Sequence, residues 1–429
     1  MSTSSMLVRN LLSVTGLSLS ANFLTLISVV LIARSMDIAD YGVLGICLGV
    51  LNLYVIAFSS GSSAFLAREY TRFARHSLFG AYFLNTMMSM LALLSVAFLV
   101  YKTLTIVDSS LGAIYQANVF YIVVGASILS AKNHLQRILL ARYQSTSSCA
   151  LDIIDPIAKI SMVLWLVSYE PLSVADILFA YVFGTFISCL VGLSLLVRWH
   201  ALRVHEFPFE KGGMKSRWVG AHYWRFARRF ALMGIASWLV SVSPRFIIGG
   251  SGNVEGAGAF FFAAQLCYLP FIFIATALMK VLGPRIYNSK DDLNDVLISS
   301  GLVKFIFKFE ILVALILIPV IYLCSPMIWE MGGYQENDYY SILLLLLGTA
   351  GVFAGANQYL LTLAIRSDSY MSYVSLQLLL VTTLLPAGIY VRQDFSVIYC
   401  AVVVFIISIL SNFFLIFRIG GDKEKVLNL

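Results

Sequence analysis

The chain has 429 residues, of which 60% are hydrophobic and 12% charged, with a mean hydropathy of +0.88. A soluble globular chain carries about 25% charged residues, so the composition is that of a polytopic membrane protein and excludes a soluble enzyme. The net charge of +7 does not point to nucleic acid, because the basic residues follow membrane topology along the chain and no nucleic-acid-binding fold accompanies them.

The first apolar run, Leu11–Ala33, follows Arg9. It is longer than the roughly 7–15 residues of a signal-peptide core and has no small-x-small cleavage site after it, so it reads as the first transmembrane helix. Further apolar segments fall near 42–66, 79–101, 112–131, 149–168, 174–197, 230–250, 258–282, 302–324, 340–363, 371–391 and 395–417, which makes twelve. Each is near or above the roughly 20 residues that cross a bilayer. With the N-terminus inside, 24 of the 29 Lys and Arg fall on the cytoplasmic side. Three, Arg34, Lys102 and Arg392, fall outside, and two, Lys159 and Arg245, fall within spans. That bias sets an N-in/C-in orientation. External loops are short. The longest, 325–339, carries Glu330, Glu336 and Asp338 and no cation.

The longest hydrophilic stretch, 198–229, separates six spans from six. Its end, Trp218–Arg229, interleaves aromatic and basic residues, as a helix lying on the inner leaflet would. The expected organisation is an N-terminal lobe over 1–200, a cytoplasmic amphipathic linker over 201–229, a C-terminal lobe over 230–420 and a tail over 421–429. The lobes look related. A shift of 216 residues places Ser35-Met36-Asp37-Ile38 on Ser251-Gly252-Asn253-Val254 and Gly42 on Gly258. A duplicated six-span unit with an even span count is a parallel repeat, an architecture of transporters whose substrate path lies between the halves.

Two stretches carry charge into the apolar interior. In Phe230–Gly258, Pro244 and Arg245 interrupt an otherwise spanning run. On one continuous helix, Ser237, Ser241, Arg245 and Gly249 would share a small, polar face. An intramembrane Arg costs about 2.5–3.5 kcal/mol on insertion scales and normally faces a bundle interior or cavity. Its planar fork suits a diphosphate, and pairing to an acid elsewhere is the other reading. In LDIIDPIAKIS, Asp152, Asp155 and Lys159 enter the fifth span. Asp155 and Lys159 are four apart and can pair on one face. They form either a cavity-facing site, with Lys159 drawing an anion and Asp155 accepting a proton, or a self-satisfied ion pair. Asn22, Asn52, Asn85, Ser241, Gln265 and Asn357 add polarity within spans, as interhelical hydrogen bonds or as a cavity lining. Arg34 stands at the outer end of the first span, either a snorkelling interfacial residue or a further head-group contact.

No phosphate-binding loop, paired-acid glycosyltransferase motif, zinc-protease motif or nucleophile elbow occurs, so ATP-driven transport by this chain is excluded. The five His lie in expected cytoplasmic loops without ligand spacing, and the six Cys stand singly beside apolar residues, as small core residues do. Neither metal nor catalytic residues are expected.

Near the first outer turn, LIARSMDIADYGVLGICLGVLNL resembles the Ala-Arg…Asp-Tyr-Gly signature of Wzx-type polysaccharide flippases. These belong to the multidrug/oligosaccharidyl-lipid/polysaccharide exporter superfamily. RFIIGGSGNVEGAGAFFFAAQL and GPRIY at 283–287 resemble later segments of the same pattern. The chain departs from it at Pro244, where an acid is common, and at Ala257–Ala259. The resemblance implies an all-α, MATE-like architecture of about twelve transmembrane helices, with two six-helix lobes rocking around a central cavity. It implies an undecaprenyl-diphosphate-linked oligosaccharide as substrate, moved from the cytoplasmic to the periplasmic leaflet of a bacterial inner membrane for O-antigen or capsule. The anionic head group would meet Arg245, Lys159 and Arg34. A proton or sodium gradient is the candidate coupling, with no other cofactor. Membrane lipids, a polysaccharide polymerase and a chain-length regulator are the candidate partners. A drug or cation exporter of the same superfamily would need an acidic cavity, and an integral-membrane polymerase or ligase would need a substantial outer loop.

Overall fold

The computed structural model describes residues 3–61, 65, 102, 109–141, 144–169, 172–198, 213–277, 294–334, 338–366, 370–391 and 395–427. Among these, every regular element is helical, which is how a chain in lipid satisfies its own backbone groups. The first helices are α1 (Thr3–Arg34) and α2 (Ile38–Val55), the latter continuing into a π-helical turn over Ile56–Ser60. Then come α3 (Ser109–Ala141), α4 (Ser145–Val167), α5 (Val174–Arg198), α6 (Gly213–Ser241) and α7 (Ser243–Gly250). The rest are α8 (Val254–Ala263, leading into a π turn over Ala264–Tyr268), α9 (Asn294–Met331), α10 (Asp338–Arg366), α11 (Tyr370–Leu384) and α12 (Ser396–Leu427).

Nine described helices are long and apolar enough to cross a membrane. They occupy the places of the expected first, second, fourth, sixth and eighth to twelfth spans. The expected fifth span is α4, whose 23 residues carry Asp152, Asp155 and Lys159. The third, 79–101, lies outside the described residues. The seventh is a bent pair: α6 and α7 meet at 44° around Val242. Pro244 stands in the first turn of α7, where its missing N–H costs nothing, and it cannot continue α6 because its ring clashes with the preceding turn. One shared face through Ser237, Ser241, Arg245 and Gly249 is therefore not formed, because the bend falls between Ser241 and Arg245. The helix carrying Trp218–Arg229 begins at Gly213 and runs unbroken to Ser241. The fourth span also runs further than expected. Apolar pattern ends near 131, but the helix continues to Ala141 and its apolar window to Leu140. Lys132 and His134 therefore sit on a spanning helix rather than in a loop.

The chain divides into two compact units. One comprises Met1–Gly42 and Leu239–Leu429, the other Val43–Trp238. In the first unit, α2 and α8 cross with backbone against backbone. A Cβ on Gly258 would lie 2.8 Å from the Ile38 carbonyl oxygen and 3.1 Å from the Gly42 nitrogen. A Cβ on Gly42 would press on the Val254 carbonyl and lie 3.1 Å from the Gly258 nitrogen. The contact is reciprocal and joins the residues that the 216-residue shift pairs. Around it stands an aromatic cluster: Tyr41 meets Phe261 at 5.0 Å, Phe262 meets Tyr334 at 5.4 Å, and Trp329 stacks on Tyr340 at 4.5 Å. Further along, Gly351 and Gly355 of α10 admit the backbone at Tyr268 and Phe271. Small residues let helices approach where the surrounding lipid supplies no hydrophobic drive.

In the second unit, α3, α4 and α5 pack through Leu139, Leu151 and Leu196, all fully buried. Gly184 of α5 brings that helix onto α4, since a Cβ there would lie 2.8 Å from the Asp155 carbonyl oxygen. Trp238 donates to the Gly49 carbonyl at 2.8 Å.

Gly258→Val forces the α2–α8 crossing apart. Overpacking typically costs about 1–3 kcal/mol, so the purified variant should unfold several degrees below the wild type in detergent. Gly16→Val, at a glycine with open space around it, is the control and should melt close to wild type.

Candidate functional site

The second unit holds a buried charge cluster between α3, α4 and α5. Lys132 of α3 donates to Asp155 Oδ2 of α4 at 2.5 Å and reaches Asp152 Oδ1 at 4.0 Å. Lys159, one turn beyond Asp155, holds the other carboxylate oxygen at 4.0 Å. Its ammonium lies 3.7 Å from the centre of the Tyr181 ring of α5. Lys132, Asp155 and Lys159 are all buried, while Asp152 is half-buried and accepts from Gln136 at 2.7 Å. The sequence spacing thus places Asp155 and Lys159 together as expected, but the shorter bond comes from a residue assigned to a loop. Asp155 is shared by two ammonium groups, and Lys132 makes the closer contact. Lys159 is left as the cation least compensated by direct contact, leaning on an aromatic face instead.

Arg245 belongs to the first unit. It is 4% exposed, and its guanidinium carbon lies 4.3 Å from the centre of the Phe261 ring. Phe261 in turn packs on Tyr41. Buried basic residues among those described are therefore Lys132, Lys159 and Arg245, one more than the apolar pattern assigns. Arg34 is exposed, and its Nε donates to the Met331 carbonyl at 2.9 Å and its Nη2 to that of Glu330 at 3.5 Å. It thereby caps the C-terminal end of α9, where a cation complements the helix dipole.

The polar positions disperse. Asn22 on α1, Ser241 at the end of α6 and Gln265 in the π turn after α8 are half-buried, and Asn52 on α2 is exposed. Asn357 is buried and donates to the Ser408 carbonyl at 3.3 Å, an interhelical bond between α10 and α12. Asn85 lies outside the described residues. Sequence reasoning missed Lys132, Gln136, Tyr181 and Glu310, the last buried on α9. Lys132 and Gln136 are four apart on one helical face, and no Gly or Pro breaks the chain between 126 and 141. That uninterrupted run was the available signal for a helix reaching past 131.

Residues 7–290 match the profile of the family described as Polysaccharide biosynthesis protein. The chain belongs to this family. No curated protein matches it in sequence. Its fold is that of MATE transporters. A Vibrio cholerae MATE transporter, VcmN, matches with a TM-score of 0.64 at 12% identity, over 99% of each chain. An inward-facing multidrug resistance MATE family transporter of the MOP superfamily matches with a TM-score of 0.64 at 14% identity, over 96% of this chain and 95% of the other. A MOP superfamily transporter from Pyrococcus furiosus, described as having a binding pocket of reverse polarity, matches with a TM-score of 0.59 at 15% identity, over 97% and 96%. This member of the polysaccharide biosynthesis family is thus an all-α, multi-pass membrane protein of MATE-like fold.

Removing one partner of a buried ion pair costs about 3–5 kcal/mol, whereas replacing both can be nearly neutral. Asp155→Asn, which leaves two ammonium groups facing each other, should lower the melting temperature more than Lys132→Met. The double variant Lys132→Met/Asp155→Asn should recover part of that loss. Thermal unfolding of the three purified proteins measures this.

Proposed function

We propose that the chain is a flippase for undecaprenyl-diphosphate-linked oligosaccharide repeat units. It carries them from the cytoplasmic to the periplasmic leaflet of the bacterial inner membrane by alternating access. The observation that carries this reading is the cationic character of the buried interior in a polysaccharide-biosynthesis transporter: Lys159 is incompletely matched by Asp155, and Arg245 is seated on an aromatic face. A sugar-diphosphate head cannot enter hydrocarbon without losing hydration worth several kcal/mol per polar group. Buried cations replace that water for the phosphates, and Arg does so with two parallel donors. The lipid tail has no such penalty and stays in the bilayer.

The direction agrees with the membrane field. With a negative interior, each uncompensated negative charge moved outward gains about 2.3 kcal/mol per 100 mV. A neighbour of the same fold is described as having a binding pocket of reverse polarity, which is in keeping with a change of substrate on this fold. A cationic interior opposes the export of drug cations, so the anionic substrate is preferred.

In a strain lacking the chain, lipid-linked repeat units should accumulate on the cytoplasmic leaflet and surface polysaccharide should be absent. Wild type restores it. Arg245→Ala, at equal protein level, should reduce surface polysaccharide at least tenfold, and Arg245→Lys should restore part of it. Normal polysaccharide with Arg245→Ala would remove this residue from the substrate path, and normal export in the deletion strain would remove the flippase reading.

A further inference from the structure

Helix α6 enters its span carrying three arginines. The apolar stretch begins at Tyr223, and Arg225, Arg228 and Arg229 all follow within about 9 Å along the axis, at 1.5 Å per residue. Tyr223 is buried and meets the Phe65 ring edge to face at 5.6 Å. That contact fixes which way the helix is turned. Ala221, Trp224, Arg225, Arg228 and Leu232 are exposed, and successive steps of three, one, three and four residues put them on one stripe of the helix. Trp224 is 51% and Leu232 42% exposed. Arg229 is half-buried and off the stripe. Among the described residues no carboxylate pairs with Arg225 or Arg228.

The stripe is graded along the axis. By the orientation that the basic residues set, its Trp224 end is cytoplasmic, and Leu232 lies about 12 Å deeper. Tryptophan favours the membrane interface and leucine the acyl chains, so the two arginines between them stand at the level of the lipid phosphates. An arginine turned towards lipid needs a counter-ion, and its planar fork takes phosphate oxygens in pairs. We infer that the stripe of Trp224, Arg225, Arg228 and Leu232 binds an anionic phospholipid of the inner leaflet, of the phosphatidylglycerol class. Arg225 and Arg228, one turn apart, hold its phosphodiester, and an acyl chain lies along Leu232. A zwitterionic phospholipid brings its own ammonium group and gains less from the two guanidinium groups. The stripe is exposed whereas Lys159 and Arg245 are buried, and lipid binding on it does not rest on the flippase reading.

The test uses the purified full-length chain in detergent, titrated with phosphatidylglycerol and separately with phosphatidylcholine, with bound lipid counted by native mass spectrometry. The wild type should hold phosphatidylglycerol at least tenfold more tightly. A basic residue beside an anionic head group contributes about fivefold in affinity. Arg228→Gln should therefore weaken phosphatidylglycerol about fivefold and leave phosphatidylcholine unchanged. Arg225→Gln should do the same, which keeps the test decisive if one variant folds poorly. Arg418→Gln, which removes an exposed cation from α12, controls for bulk charge and should bind like wild type. Equal affinity for the two lipids, wild-type binding by both α6 variants, or an equal loss in Arg418→Gln overturns the site. Undecaprenyl diphosphate at the same concentration should leave phosphatidylglycerol bound; displacement would give the stripe to a polyprenyl diphosphate and overturn the phospholipid assignment.

Discussion

Charge has to be matched before a bundle can close around it in lipid, and the second unit shows the full cost of doing so. Lys132 and Asp155 meet at 2.5 Å from two different helices. The geometry needs α5 close enough for Tyr181 to cover Lys159, and that approach is possible because Gly184 has no side chain to hold α4 away. One ion pair thus fixes the register of α3 on α4, while one glycine fixes the distance of α5 from α4. Lys159 is carried into the interior by its place one turn after Asp155, and the remaining carboxylate oxygen meets it only at 4.0 Å. The same arrangement that stabilises the bundle therefore leaves a partly compensated cation inside it.

The first unit solves a different problem. Its helices cross where Gly42 and Gly258 bring backbone to backbone, and the contacts are mirrored: Ile38 faces Gly258 as Val254 faces Gly42. The contacts join the residues that the 216-residue shift aligns. A side chain on either glycine would disturb both copies of the contact at once. The aromatic cluster of Tyr41, Phe261, Phe262, Trp329 and Tyr334 surrounds this crossing and extends to Arg245, whose guanidinium rests on Phe261. Arg34 closes the end of α9 in the same unit by capping the carbonyls of Glu330 and Met331.

Much of this was legible in the chain itself. Hydropathy located nine of the spans found among the described residues, because a bilayer demands a length and a composition that few other contexts do. The 216-residue shift picked out Gly42 and Gly258 from their spacing alone, and the pair of Asp155 and Lys159 followed from the helical repeat. What failed did so for physical reasons. Lys132 was assigned to a loop because apolar character fades near 131, yet a helix does not end where hydropathy does; it ends where backbone hydrogen bonding stops, at Ala141. The polar face through Arg245 was drawn on a straight helix, whereas Pro244 forces a new helix to start after Val242. Glu310 passed unnoticed in an apolar run because no periodic pattern marks a single acid. Its significance depends on which atoms of α12 face it, and a tertiary contact between residues 102 positions apart leaves no local trace.

Two buried carboxylates, Asp155 and Glu310, now stand in contrast, and the contrast is informative. Asp155 has an ammonium group hydrogen-bonded to one oxygen and a second ammonium 4.0 Å from the other. Glu310 has one long amide contact and a free oxygen. If both were merely structural, the same desolvation cost would apply to each and the same remedy would be expected for each. A permanent counter-ion suits a position that must stay fixed. The two carboxylates thus differ in their neighbours, ammonium groups of α3 and α4 beside Asp155 and the side-chain amide of Asn412 beside Glu310.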